Sequence, residues 1–430
     1  MINQIVKGFA FSFRRQPTST LGSVKRLRMK FRGLNIHNIL QEKHVVGSQR
    51  FASSLLEVTE KLIGNEKGSP TLHPSVKSIL CSSSQLLKEA NTTEPDLSVC
   101  HLLSFALKDD FQWEDNGSST LHKIMLGEDS NDEDCQRIKS KILTNEEFQM
   151  FTRMVHRRMT NEPLQYIIGQ WDFHEITIKI RQPCLCPRPE TEELVELVAK
   201  DMRKMITYRK SILEVEKKIH GIEKEFKKIR VLDVGCGTGA ISIALANMFS
   251  PEEVEFVAID IAQEAVSLTL ENAATVLEKA QKDSKKSYYQ SFLYAASDYT
   301  NNRRKENLNP VHKFDFDIVV SNPPYIPKLK METLSKDVVD FEDFGALCGG
   351  EDGMDVIRDI VHQLPEWCDK DGEQDAICWM EVDTSHPQLM ENWLSPSNNN
   401  SNNGVEFLQG FNDLFGLPRF VKLHLKKSKR

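Results

Sequence analysis

The stretch Val319-Val320-Ser321-Asn322-Pro323-Pro324-Tyr325 begins like a buried strand and stops at an amide and two prolines. Two successive prolines remove two backbone donors and fix two φ angles. Asn-Gly would serve an ordinary turn better. This tetrapeptide therefore suits a place that must present bare carbonyls and one side-chain amide in a rigid frame. Asn322 can accept an N–H through its side-chain oxygen, and the Pro323 carbonyl can accept a second. Together they would hold a planar, conjugated NH2, whose delocalised lone pair makes it a poor nucleophile, and aim it at an electrophilic methyl. Pro324 stiffens the frame, and Tyr325 offers a π face to a flat substrate or to a sulfonium. Positioning is the expected catalytic effect. No strong base is needed, because the proton can leave after transfer.

A second constellation lies upstream, in Asp233-Val234-Gly235-Cys236-Gly237-Thr238-Gly239. It closes one expected strand and opens a helix, and its glycines allow a sharp turn and close approach of a ligand to the main chain. Asp260 ends the next expected strand, Phe256–Asp260, where a carboxylate can bind both hydroxyls of a ribose. The pair suits a dinucleotide or S-adenosylmethionine. Asp233 favours the second, since it would repel a pyrophosphate but can hold an amino group directly or through water. Asp298 and Tyr299 end a third strand and are expected at the same edge, flanking an adenine. Cys184 and Cys186 are the only close cysteine pair among nine and lack a partner pair nearby. They read as reduced strand residues, and no metal site is expected.

The elements that must carry these residues follow from periodicity. From 230 onward strands (230–234, 255–260, 291–297, 316–321, 376–382) alternate with helices (from 240, 262–279, 353–364), which predicts an α/β fold with a doubly wound, mostly parallel sheet. Phe420–Leu425 alternates and is expected as an edge strand, and 395–403 as a solvated loop. Phe173–Ile180 alternates with Ile176, Ile178 and Ile180 on one face, predicting half of a hairpin between two domains. A helix starts near Pro189, with Thr191 as a candidate N-cap. Between 50 and 165 the spacing is helical throughout, including Phe51–Ile63 and a capping-type start at Thr144. Residues 114–136, rich in Asp, Asn, Gly and Ser, read as a loop. Apolar residues at 212, 215, 219, 222, 226 and 229 predict an amphipathic helix over 211–230 at heptad spacing, packed on its own domain.

Composition, with 40% hydrophobic and 27% charged residues, is that of an ordinary globular chain, and no apolar run is long enough for a membrane span. Residues 1–41 hold eight Lys or Arg and no Asp or Glu, which reads as a mitochondrial transit peptide. A basic nucleic-acid-binding arm is the alternative. Without that segment 47 basic and 62 acidic residues remain, a net of about −15 that argues against direct nucleic-acid binding.

The tract Pro163-Leu-Gln-Tyr-Ile-Ile-Gly-Gln-Trp-Asp-Phe, then Pro187-Arg-Pro-Glu-Thr-Glu, the glycine loop at 233–239, Ser321-Asn-Pro-Pro-Tyr and Gly349-Gly-Glu-Asp-Gly-Met-Asp resembles the HemK/PrmC-type release-factor glutamine methyltransferases over about 163–385. The resemblance implies a Rossmann-like class I methyltransferase sheet with a smaller N-terminal helical domain. It also implies N5-methylation of the GGQ glutamine of peptide chain release factors, with S-adenosylmethionine as donor. With the transit signal, the partners would be mitochondrial release factors in the matrix. Carried over by position, Gly235 to Gly239, Asp260, Tyr299 and Asn322 would contact the donor. Asn322 to Tyr325 would hold the glutamine amide, and Phe173 would line the substrate pocket. The implied organisation is a transit or disordered segment at 1–50, a release-factor-docking helical domain at 51–165, a hairpin linker at 166–190 and the methyltransferase domain at 191–430. Cys184 and Cys186 stand where the family usually has aliphatics, and 211–230 and 300–312 look like insertions. The rival readings are an N-methyltransferase acting on an exocyclic amino group of RNA or DNA, and a non-enzymatic assembly factor on the same scaffold.

Overall fold

The computed structural model describes residues 58, 75–108, 117–128, 133–221, 223–281, 292–296, 315–368, 375–395 and 404–426. The chain divides into two compact units at Leu164/Gln165. The segment expected as a transit peptide, the helix expected at 51–63 apart from Val58, the 300–312 insertion and most of the 395–403 loop lie outside the described residues.

In the first unit the described elements are helices: α1 (Val76–Glu89), α2 (Pro95–Ala106), α3 (Ser118–Leu126), α4 (Glu133–Ser140) and α5 (Asn145–Arg158). Thr144 caps α5 with a full capping box, its hydroxyl accepting from Glu147 N while the Glu147 carboxylate accepts from Thr144 N. Leu80, Leu87, Leu102, Leu103 and Phe151 are buried without exposed surface, each contributing about 1.5–3 kcal/mol. The stretch 114–136, expected as a loop, holds α3 and the start of α4 instead. Leu121 and Ile124 are buried, so two apolar anchors fold a polar segment whose composition speaks for a loop. α6 (Leu164–Ile168) lies at the boundary.

The second unit opens with a hairpin, β1 (Gln170–Phe173) paired antiparallel with β2 (Ile176–Lys179). Ile176, Ile178 and Ile180 are buried, as period-two alternation requires. Then come α7 (Pro189–His220), β3 (Ile229–Val234), α8 (Ala240–Met248), β4 (Val254–Asp260), α9 (Gln263–Gln281), β5 (Phe292–Ala296) and β6 (Ile318–Ser321). Three one-turn helices, α10 (Lys328–Met331), α11 (Lys336–Val339) and α12 (Phe344–Leu347), precede α13 (Asp355–Cys368), β7 (Ala376–Glu381), α14 (His386–Trp393), β8 (Val405–Asn412) and β9 (Pro418–Leu425). The seven-stranded sheet has the order β5-β4-β3-β6-β7-β9-β8. The first five strands are parallel, and β9 runs antiparallel to both β7 and β8. This is the α/β, doubly wound, mostly parallel architecture that the strand–helix alternation predicts. One sheet face packs on α7, α8 and α9 through Val231, Phe256, Ile318 and Val320. The other packs on α13 and α14 through Leu232, Val257, Val319 and Met380.

Four expectations are corrected here. Phe420–Leu425 forms an interior strand, since β8 pairs on its outer side and makes the edge. Cys184 and Cys186 are buried in an irregular segment between β2 and α7 and belong to no strand. The helix expected over 211–230 is the far end of α7, and Gly221 stops it in a left-handed C-cap at φ 65°. Its Ile212, Val215 and Ile219 are exposed and do not pack on their own domain, and the chain from 223 to 228 is non-helical. Finally, α7 is N-capped by Arg188 with Pro189 at the first helical position, where a proline's missing N–H costs nothing. Thr191 is thereby moved inside the first turn. Among the described residues no helix is long and apolar enough to cross a membrane.

Candidate functional site

Strand register brings the two constellations together. Val234, the last residue of β3, pairs with Ser321, the last residue of β6. The glycine loop and Asn322 therefore leave adjacent strands at the same carboxyl edge, where open α/β sheets bind ligands. The Ser321 hydroxyl donates to the Val234 carbonyl at 2.7 Å and locks that junction.

In the loop, Gly235, Gly237 and Gly239 have φ of 73°, 56° and 80°. The N–H groups of Gly235 and Cys236 donate to the Ile259 carbonyl at 2.8 and 3.0 Å, which ties the loop to the end of β4. Gly237 N donates to Asp260 Oδ2 at 2.9 Å, and Ala262 N to Oδ1 at 2.9 Å. The Asp260 carboxylate is thus fixed in orientation with lone pairs left to accept from a ligand. Burial raises the Asp260 carboxyl above the usual range. Nothing lies within 4 Å of where a Cβ on Gly237 would sit, so the backbone there faces open space. Thr238 is buried, and its carbonyl accepts from Asn272 Nδ2 at 2.9 Å. Asn272 also bonds both backbone groups of Lys179, coupling the loop to the β1–β2 hairpin.

Asp233 is fully buried beneath this loop. Its Oδ2 accepts from Ser242 N at 3.3 Å, whereas Oδ1 has no partner in the structure. Burial pushes its carboxyl up to about 6. A buried acceptor without a donor is costly unless a ligand or water supplies one.

At Asn322 a four-residue relay appears. The amide Nδ2 donates to Thr191 Oγ1 at 3.1 Å, the Thr191 hydroxyl donates to Glu381 Oε2 at 2.7 Å, and the Tyr325 hydroxyl donates to Glu381 Oε1 at 2.9 Å. Glu381, the last residue of β7, is 1% exposed, and burial raises its carboxyl. The polarity of this relay decides which way Asn322 faces. A threonine has one hydroxyl hydrogen, and with Glu381 ionised it goes to the carboxylate. Oγ1 can therefore only accept from Asn322, so Nδ2 turns inward and Oδ1 is the acceptor presented outward. Burial, then the neighbouring Glu381, raises the Tyr325 phenol and keeps it a donor.

The tetrapeptide is braced from behind. Ile326 N donates to the Leu347 carbonyl, Gly349 N to the Ile326 carbonyl and Lys328 N to the Gly350 carbonyl, all at 2.9–3.0 Å. A Cβ on Gly353, at φ 80°, would fall 2.3 Å from the Tyr325 carbonyl oxygen and 2.9 Å from the His386 ring. Glycine is required there by close backbone approach. Arg188 Nη2 donates to both carboxylate oxygens of the buried Glu342, at 2.8 and 2.6 Å, clamping the turn before α7 to the segment after Tyr325.

The structure thus gathers Asp233, the loop from Gly235 to Gly239, Asp260 and Asn322 to Tyr325 at one sheet edge. Phe173 is placed elsewhere. It is 1% exposed and belongs to the core cluster with Leu194, Val198 and Ile241, so its ring lines no open pocket. Asp298 and Tyr299 lie outside the described residues. Sequence reasoning assigned no role to Glu381 or Asn272 and took Thr191 for a cap. The one available signal for Glu381 was an acid ending a strand that is otherwise apolar, Ala376 to Val382.

The residues present fit S-adenosylmethionine. The unpartnered Asp233 oxygen suits the donor's ammonium, directly or through water, the open Gly237 backbone admits the ligand closely, and Asp260 retains capacity for ribose hydroxyls.

Comparison with known proteins agrees with this geometry. The profile of a methyltransferase domain matches residues 225–331, and that of the PrmC N-terminal domain matches 137–169. The human "MTRF1L release factor glutamine methyltransferase" is 33% identical over 288 residues, 66% of this chain and 73% of the relative. A "release factor glutamine methyltransferase" of Bacillus cereus is 33% identical over 52% of this chain and 65% of its own length. One from Thermodesulfovibrio yellowstonii is 26% identical over 66% and 85%.

Proposed function

Because the chain belongs to the release factor glutamine methyltransferases, we propose that it methylates the side-chain amide nitrogen (N5) of the GGQ glutamine in peptide chain release factors. Its part in translation termination would be exercised in the mitochondrial matrix. S-adenosylmethionine supplies an electrophilic methyl on a sulfonium when bound. The protein's own work is to hold and aim a reluctant nitrogen. Asn322, with Nδ2 anchored on Thr191, accepts one amide N–H through Oδ1. The Pro323 carbonyl accepts the other, and both prolines prevent the acceptors from rotating away. The two acceptors orient the lone pair for attack and polarise the N–H bonds, which leaves more electron density on nitrogen. The nitrogen would gain the methyl carbon as that carbon's bond to sulfur breaks and the sulfonium leaves as a neutral thioether, and it would then release one proton to solvent. The Tyr325 ring, tethered through its hydroxyl to Glu381, closes one wall without leaving an unpaired polar group.

The observation that carries this reading is the relay polarity, which leaves an oxygen and not an NH2 at the mouth of the site. A pocket built this way selects a primary amide or amino group and offers nothing to a hydroxyl or thiol nucleophile that needs a base. The matrix location rests on the acid-free basic stretch of the first 41 residues. Incubation with labelled donor and mitochondrial release factors, followed by tandem mass spectrometry, tests the substrate. The methyl is expected on the GGQ glutamine. Transfer to RNA or DNA in place of the protein would overturn the reading.

A further inference from the structure

The turn between β8 and β9 overhangs the carboxyl edge of the sheet. β9 runs antiparallel to β7, and Phe420 pairs with Glu381. Residues 413–417 therefore project beyond the end of β7, on the same side as Asn322. Two strand spacings, about 10 Å, separate β6 from β9 across the sheet. The turn also touches the first turns of α7, where Leu414 N donates to Glu193 Oε1 at 3.3 Å, two residues beyond Thr191.

Its construction is unusual for a loop tip. Leu414 is 87% exposed and Phe415 82%, side by side, where polar residues are the rule. Yet the backbone is fully tied. The buried Asp413 carboxylate accepts from Phe415 N and Leu417 N, both at 2.9 Å, and from Arg419 Nε at 3.1 Å. Asp413 N donates to the Leu417 carbonyl and Gly416 N to the Asp413 carbonyl. Every N–H from 413 to 417 thus has a partner. A rigid turn presenting two bare apolar side chains loses little entropy when it is covered.

We propose that this turn is a docking lip for the globular protein that carries the target glutamine, with Leu414 and Phe415 seating in an apolar depression beside its glutamine loop. The inference rests on the function proposed above. A glutamine side chain spans only a few ångströms from backbone to amide nitrogen, so delivering it to Asn322 brings the surrounding protein surface against whatever overhangs the same edge. The neighbouring first turn of α7 carries Glu190 and Glu192, which favours a basic rim on the partner.

The test is the double variant L414S/F415S in the full chain, measured on a folded release factor and on a short peptide containing the same GGQ glutamine. For the folded protein, kcat/KM is expected to fall about tenfold or more through KM, as loss of an aromatic anchor does. The peptide rate and the affinity for S-adenosylmethionine are expected to stay unchanged. An unchanged KM for the folded protein would overturn the inference, as would an equal loss on the peptide. Concentration-dependent dimers of the wild type that the variant abolishes would also overturn it, since a second copy would then cover the lip. Failure of the wild type to methylate any release factor would instead remove the functional reading and this inference with it.

Discussion

Replacing Thr191 by Val keeps the shape of the side chain and removes its hydroxyl. The wild-type group is buried, donates to Glu381 at 2.7 Å and accepts from Asn322 at 3.1 Å. A hydrogen bond to a carboxyl group is worth about 1.5–3 kcal/mol and a neutral one about 1 kcal/mol. The variant should therefore lose about 3 kcal/mol of stability, or about 6–12 °C in Tm for a unit of this size. The catalytic effect is separate. Without the anchor the Asn322 amide can turn its NH2 outward, where it repels an amide N–H, and its oxygen is no longer held in place. Misplacement on the ångström scale costs about 100-fold in rate, so kcat should fall by about that factor while donor affinity holds. T191S restores the hydroxyl and should recover most of kcat. Initial rates with labelled donor, taken well below the variant's Tm, separate the two effects. A T191V enzyme with lowered Tm but kcat within about threefold of wild type would refute the orientation argument and leave Thr191 a packing residue.

Gly353 to Ala forces a Cβ against the Tyr325 carbonyl in a left-handed backbone. It should destabilise the fold by several kcal/mol, at least ~2, and abolish turnover by displacing Tyr325, seen as a lowered melting temperature together with lost transfer. The Asp233 carboxyl sits near 6 when folded against 3.8 in its ordinary state, so the folded chain holds the extra proton between those values. That contribution is present below about pH 4 and is lost as pH rises through 6, a cost of about 3 kcal/mol. D233N should flatten this decline in ligand-free melting curves. In the wild type, donor affinity measured by calorimetry should weaken as pH falls below about 6 and the charge facing the ammonium disappears. A pH-independent affinity would show that Asp233 does not hold that group.

Much of the α/β half was legible because its determinants are local. The strands β3, β4 and β6 are short runs rich in Val and Ile, and Gly235, Asp260 and Asn322 stand at their ends. The capping box at Thr144 is equally local. Thr191 and Glu381 were not legible as a pair, since they lie 190 residues apart and meet only when α7 crosses the end of β7. Thr191 resembles a cap in sequence, but Pro189 takes the first helical position and pushes the cap back to Arg188. Phe173 differs between the two readings. A resemblance assigns it to a pocket, whereas its neighbours on the hairpin bury it in the core. The heptad pattern past 211 predicted packing that Gly221 and the exposed Ile219 contradict, because spacing records a face without naming what covers it.

The account stands on an amide oxygen at Asn322 gripping the acceptor nitrogen, and N322A measures that most directly. In one preparation, calorimetry should find S-adenosylmethionine bound within a few-fold of the wild-type affinity, while transfer to a GGQ release factor drops by about 1,000-fold or more. An N322A enzyme that binds the donor and still turns over near the wild-type rate would contradict it.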